Sequence, residues 1–241
     1  MKKPHALLIK FPGTNCDEET ERALVEAGFE VRLRLIADLI PSEVSSTQLI
    51  VMSGGFSYGD YVMAGRLAEL VLEQRVGTAI QDFYADGGHL LGICNGFQIL
   101  ARIGILPEVS LIQNVSGRFV CRWSELDVAS GDNAFLQGLP AQIELPVAHA
   151  EGRLVAASPE GASSLVEKGL VVLRYGENFN GSMEQIAGLQ DEDGRVLGLM
   201  PHPERFLSAR HHYDPDWGEH HGNTGWGAQV FSSIHQRLSD S

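Results

Sequence analysis

The sequence predicts an α/β fold: a flavodoxin-like, mostly parallel sheet with helices on both faces, extended by antiparallel strands. Three observations predict it. Over the first hundred residues, short apolar runs alternate with amphipathic ones, the pattern of βαβ units on a parallel sheet. From about Gly117 to Gly194 the chain turns β-rich with glycine turns, as antiparallel strands and long loops require. The stretch HLLGICNGFQ, His89 to Gln98, passes directly from an apolar run into a helical pattern, with a cysteine at the joint.

The elements follow in order. HALLIK reads as a first strand, because its apolar run is too short for a signal peptide and Lys10 ends it. DEETERALVEAG is the first amphipathic run of the alternation and reads as a helix. FEVRLRLI and QLIVMSGG read as strands, and RLAELVLEQRVGTAIQDFYADG as helix. HLLGI is the next strand, and NGFQILARIGIL the helix that follows. Between Gly117 and Gly194, GRFVCRWSELDV, QIELPVAHAEGRLV and LVVLRYGENFNGS read as strands elaborating the same sheet. RVLGLM is a further buried strand and GAQVFSSIHQRLSD a closing amphipathic helix. No repeat or linker divides the chain, so residues 1–241 are expected to form a single domain.

Composition bounds the function. The chain has 241 residues, 44% hydrophobic and 20% charged, with a formal charge of −13. These values describe a globular protein without the dense basic surface that duplex nucleic acid requires. No apolar segment is long enough to cross a bilayer, so a soluble, cytoplasmic protein is expected. Cys16, Cys94 and Cys121 form no CxxC pair and are odd in number, which favours free thiols in a reducing compartment.

Cys94 is the cysteine whose position calls for chemistry. Gly92 and Gly96 flank it two residues to either side, the arrangement of a nucleophile elbow with sulfur in place of the serine oxygen. A side chain at the start of a helix meets the positive end of the macrodipole and unpaired amides, which favour negative charge there. The Asn95 amide becomes one candidate arm of an oxyanion hole. Cys16 and Cys121 lack this context and read as packing residues.

A nucleophilic cysteine needs a base. His202 sits between prolines in VLGLMPHPERF, and Pro203 disfavours helical geometry at the residue before it. An extended chain there would bring Glu204 to the same side as His202, completing a Cys-His-Glu triad. His211, His212, His220 and His221 lack the i, i+4 spacing of a zinc motif, so no metal site is expected and the tail reads as a solvated or interface loop. Trp217 and Trp226 fit the core or a partner interface equally well. Read as a phosphate cradle, GGFSYGDYVMAG lacks the GxGxxG spacing.

Together GICNGFQIL, MPHPER and SGGFSYGDYVMAG resemble the class I, triad-type glutamine amidotransferases. FPGTNCDEET, PVAHAEGRL and RYGENFNGSMEQIAGLQDEDGRVLGLMPHPER resemble one branch of that family, the glutaminase subunits of phosphoribosylformylglycinamidine synthase. The resemblance implies that Cys94 attacks glutamine, His202 passes a proton to the departing ammonia and Glu204 holds His202. It places the second oxyanion donor at Gly55 and puts Gln98 and His149 near the bound substrate. It implies no cofactor in this chain. ATP and Mg are expected on a synthetase partner, with a small accessory subunit as a candidate third component. The chain itself has no GxxxxGK[ST] motif.

One departure is the stretch LSARHHYDPDWGEHHGNTGWGAQVF, which looks more like the end of glutaminase domains fused to their synthetase than the tail of a small subunit. Two other readings compete. A Cys-His hydrolase or stress-response protein of the related flavodoxin-like superfamily usually has its histidine close behind the cysteine, where this chain has Asn95. A non-catalytic binding module would have a damaged triad, whereas Cys94, His202 and Glu204 are all present.

Overall fold

A computed structural model describes residues 3–56 and 64–240 of the chain. Its centre is a nine-stranded sheet in the order β2-β1-β3-β4-β11-β10-β9-β6-β7. Strands β1 (His5–Lys10), β2 (Glu30–Leu35), β3 (Leu49–Met52), β4 (His89–Ile93) and β11 (Val196–Leu199) run parallel. Strands β6 (Val120–Val128), β7 (Gln142–His149), β9 (Val171–Tyr175) and β10 (Ile186–Gln190) continue the sheet antiparallel. Every residue of β3 and β11 is buried, as expected of strands covered on both faces.

The helical layers follow from the strand order. Helix α1 (Asp17–Ala27) connects β1 to β2, whereas α3 (Ala64–Val76) and α4 (Ala79–Ala85) connect β3 to β4 in the opposite direction. Right-handed crossovers in opposite directions put their helices on opposite faces. Helix α8 (Trp226–Ser239) packs on α1, and α5 (Asn95–Arg102) packs on α3.

Several elements differ from the sequence reading. The stretch read as one helix after residue 65 is two, because Gly77 takes a φ of +54° between α3 and α4. A helix, α6 (Pro159–Glu167), interrupts the β-rich region; Ser158 caps it by accepting the Gly161 amide at 3.1 Å. The strands β5 (Val109–Gln113) and β8 (Glu151–Ala156) do not join the main sheet but pair with each other in a separate antiparallel ribbon. A short helix, α2 (Pro41–Ser45), precedes β3.

The tail expected to be a solvated or interface loop is in part folded onto the protein, although His211, His220 and His221 are exposed. It contains α7 (Trp217–His221), and the Trp217 side chain is buried edge-on to Phe206 with ring centroids 4.9 Å apart. His212 packs against Trp123 and lies 3.1 Å from a Glu144 carboxylate oxygen. Trp217 therefore belongs to the core, and the tail braces the segment that carries His202 and Glu204. No described helix is long and apolar enough to cross a membrane.

Candidate active site

The site is assembled at one edge of the parallel sheet. Ile93, the last residue of β4, pairs with Leu199, the last of β11, and Met52 of β3 pairs with Gly92. The residues that follow these three strands, Ser53–Gly55, Cys94 and Met200–His202, must therefore emerge side by side. Ligands of open α/β sheets bind at these carboxyl ends. A groove lined by Pro41, Ser45, Asp82, Phe83 and His89 lies instead at the opposite end of β4, away from these residues.

Cys94 occupies a strained turn, with φ 51° and ψ −103°, conditions that a residue with a side chain rarely adopts. The chain is held in it from both sides. The Cys94 amide donates to Leu199 O at 2.7 Å, and its carbonyl accepts the Gln98 amide at 3.2 Å. The flanking glycines are steric necessities: a Cβ on Gly96 would sit 1.9 Å from Met52 O, and one on Gly92 would sit 2.7 Å from the Gly96 carbonyl. The thiol is buried, with Sγ 4.0 Å from Ala148 O.

His202 is anchored by its own amide, which donates to Pro146 O on β7 at 2.8 Å. Its Nδ1 lies 2.7 Å from Glu204 Oε1, and both side chains are almost wholly buried. The contact is not made across an extended segment. Pro203–Arg205 form a 3-10 turn, and His202 alone, at φ −109° and ψ 86°, keeps the non-helical geometry that the following proline favours. Gly54 ties the two halves together: a Cβ there would lie 2.7 Å from His202 Cε1 and 3.3 Å from Cys94 Cβ, so both side chains flank the same glycine.

Burial disfavours a charged His202, but the Glu204 carboxylate and the Cys16 and Cys94 sulfurs outweigh it and raise its pKa above the ordinary imidazole value. With Nδ1 facing a carboxylate, Nε2 is the ring atom left to exchange protons; it is buried and has no hydrogen-bond partner among the described residues.

The other expected residues take distinct positions. Gly55 has a φ of +135° and packs on Thr14 and Asn15, so the loop after β3 lies against the start of the chain. Asn95 opens α5 directly behind the thiol. Gln98 is largely committed to the protein: its Nε2 donates to Glu151 O at 2.7 Å and its Oε1 accepts from Asn95 Nδ2 at 2.9 Å. His149 is buried at the end of β7, next to Ala148. Most of the glycine-rich motif, 57–63, lies outside the described residues.

Cys16 is more than a packing residue. It accepts a hydrogen bond from Arg205 Nη2 at 3.0 Å and, with His202 and Glu204, forms a compact buried cluster. Cys121 is exposed, contrary to a packing role. Sequence reasoning also missed Tyr175, which is fully buried, with a hydroxyl that has no partner among the described residues. Its phenol pKa is driven far up by burial and by Cys94, which places it within electrostatic reach of the thiol. Nothing in the local pattern around RYGEN distinguishes that tyrosine from an ordinary strand residue.

An elbow cysteine beside a buried His-Glu pair, on this sheet, defines a glutamine amidotransferase architecture. The chain belongs to the CobB/CobQ-like glutamine amidotransferase domain family, whose model matches residues 3–236. It is 39% identical to the phosphoribosylformylglycinamidine synthase subunit PurQ of Dehalococcoides mccartyi over 97% of each chain. It is 41% identical to the PurQ subunit of Thermotoga maritima, over 84% of this chain and 88% of that one. Among solved structures, PurLQS from Thermotoga maritima superposes with a TM-score of 0.80 at 36% identity, covering 98% of this chain and 100% of the matched one. A second Thermotoga maritima glutamine amidotransferase shares the fold, with a TM-score of 0.60 at 15% identity over all of both chains. The Dehalococcoides subunit matches through the long tail, so the tail does not set this chain apart from separate subunits.

Proposed function

We propose that this chain is the glutamine-hydrolysing subunit of a cytoplasmic phosphoribosylformylglycinamidine synthase. It releases ammonia to an ATP-dependent synthetase partner, which converts formylglycinamide ribonucleotide to formylglycinamidine ribonucleotide in purine biosynthesis. The observation that carries this reading is the 2.7 Å contact between His202 and Glu204 beside a strained Cys94. The relatives named for this subunit support the substrate and the partner. The family match over 3–236 supports reading residues 1–241 as one amidotransferase domain.

The position of the three side chains supports the following mechanism. His202 Nε2 takes the thiol proton, and Cys94 Sγ attacks the side-chain carboxamide carbon of glutamine. A carboxamide is a poor electrophile, so charge developing on its oxygen needs fixed donors. The amides of Gly55 and Asn95 serve as those donors. Glu204 stabilises the imidazolium and fixes Nδ1 as the protonated nitrogen facing it. His202 then gives its proton to the amide nitrogen, the C–N bond breaks, and a γ-glutamyl thioester and ammonia result. Water, deprotonated by His202, hydrolyses the thioester to glutamate. Gln98 shapes the glutamine pocket through its hold on Asn95 and the β7–β8 turn. ATP and Mg belong to the synthetase, which with a small accessory subunit completes the enzyme.

In the assembled enzyme, Cys94→Ala is expected to abolish glutamine-dependent synthesis and to leave synthesis from added ammonia intact. Equal loss of both would contradict this division of labour.

A further inference from the structure

Among the buried groups that the mechanism leaves unused is His149. His149 Nδ1 lies 3.0 Å from Asn114 Oδ1, and the orientation of that amide is fixed by its other contacts. Asn114 Nδ2 donates to the carbonyls of Arg118 at 3.0 Å and His149 at 2.9 Å, while Oδ1 accepts the Gly152 amide at 3.3 Å. Because Oδ1 can only accept, His149 Nδ1 carries the ring proton and Nε2 presents a bare lone pair. That lone pair is buried without a partner among the described residues. The ring packs closely over Gly152, where a Cβ would lie 2.3 Å from Nδ1, and the Phe179 ring centroid stands 5.7 Å away.

A buried acceptor with no donor is uncommon, and in a site it points to a donor on the ligand. Its surroundings identify the donor. The neighbouring carbonyl, Ala148 O, stands 4.0 Å from Cys94 Sγ, so the end of β7 reaches the reacting thiol. Burial and the charge of His202 lower the His149 pKa to about 4, so the ring is neutral at physiological pH. His202 is tied to the same strand, its amide donating to Pro146 O at 2.8 Å.

We propose that His149 Nε2 accepts an N–H of the leaving nitrogen of glutamine, holding that nitrogen while His202 protonates it. The inference rests on the glutaminase reading above. In the tetrahedral intermediate the amide nitrogen carries two hydrogens and a lone pair. An acceptor on one N–H turns the lone pair toward the proton on His202 Nε2. As the C–N bond breaks, its electron pair stays on nitrogen, and ammonia departs hydrogen-bonded to an imidazole whose only proton is tied to Asn114. Such a partner binds ammonia without converting it to ammonium.

The test compares leaving groups in the chain assembled with its synthetase partner. Glutamate release is measured from L-glutamine and from glutamate γ-methyl ester, whose leaving oxygen carries no hydrogen to be accepted. Labelling by 6-diazo-5-oxonorleucine reports an intact nucleophile in each variant. His149→Leu is expected to lose glutamine turnover by about 100-fold while keeping ester turnover within about threefold. His149→Gln, whose carbonyl oxygen can accept, should recover part of the glutamine rate; if the leucine variant does not label, the glutamine-to-ester ratio of this variant decides. Equal loss on both substrates, or unchanged glutamine turnover, overturns the role of His149 alone. Wild-type enzyme that neither labels nor turns over either substrate overturns the glutaminase reading and this inference with it.

Discussion

Arg205 Nη2 donates a hydrogen bond to Cys16 Sγ at 3.0 Å, joining the first residue before α1 to the 3-10 turn that carries Glu204. The guanidinium is partly buried and also lies 3.9 Å from Glu19. Removing it leaves the buried sulfur with its 3.5 Å contact to Asn15 Oδ1 but without the tie to the turn. Arg205→Ala is expected to lower stability by about 1–3 kcal/mol, the cost of breaking a hydrogen bond to a charged group. Urea denaturation measures it, and an unchanged midpoint would show that the contact contributes nothing.

Glu204→Gln keeps an oxygen at the His202 ring and removes the charge. The loss of imidazolium stabilisation should lower kcat for glutamine by about 10²–10⁴-fold. The stability effect has a definite sign. Burial opposes charge on His202, but Glu204 and the two sulfurs raise its pKa in the folded state. A raised pKa stabilises the fold fully below the unfolded value of about 6.5, and this stabilisation fades as pH rises through the folded value. Denaturation of wild type and variant from pH 6 to 9 should therefore show the largest difference at pH 6. A difference that grows with pH would contradict the assignment.

The glycines of the elbow make a sharper steric prediction. In Gly96→Ala the new Cβ would overlap the Met52 carbonyl of a central strand, which cannot give way. The expected cost is about 3 kcal/mol or more, seen as poor folding or a large fall in Tm. Gly131→Ala, where nothing lies within 4 Å of the added Cβ, should stay within about 0.5 kcal/mol of wild type.

Tyr175→Phe removes a buried hydroxyl that has no partner among the described residues. Deleting an unsatisfied polar atom should leave thermal stability unchanged or raise it, by about 1 kcal/mol at most. A clear loss of stability would mean that the hydroxyl is hydrogen-bonded in solution.

Much of this was readable in one dimension because the deciding constraints are local. The alternation of apolar and amphipathic runs gives the parallel strands, and glycines two residues either side of Cys94 mark a joint where no Cβ fits. His202 and Glu204 are neighbours in any compact local geometry, so their contact survived an incorrect expectation of an extended chain. Long-range pairings were not readable. The ribbon of β5 with β8, the packing of His212 on Trp123 and the contact of Arg205 with Cys16 join segments far apart in the chain, and no local period encodes them. The role of Asn114 was hidden for the same reason, since it matters only through His149, 35 residues away. Helix α6 was the exception: its Ser-Pro start and capping serine were legible signals that the surrounding β pattern masked.

The central claim is that Cys94 is the nucleophile and glutamine its substrate. The most direct measurement is the intact mass of the protein after incubation with an electrophilic glutamine analogue, with peptide mapping and Cys94→Ser as control, both alone and with the synthetase partner present. A single adduct on Cys94, absent in the variant and blocked by excess glutamine, is the predicted result. An adduct on Cys16 or Cys121 instead, or none even with the partner present, would contradict the account.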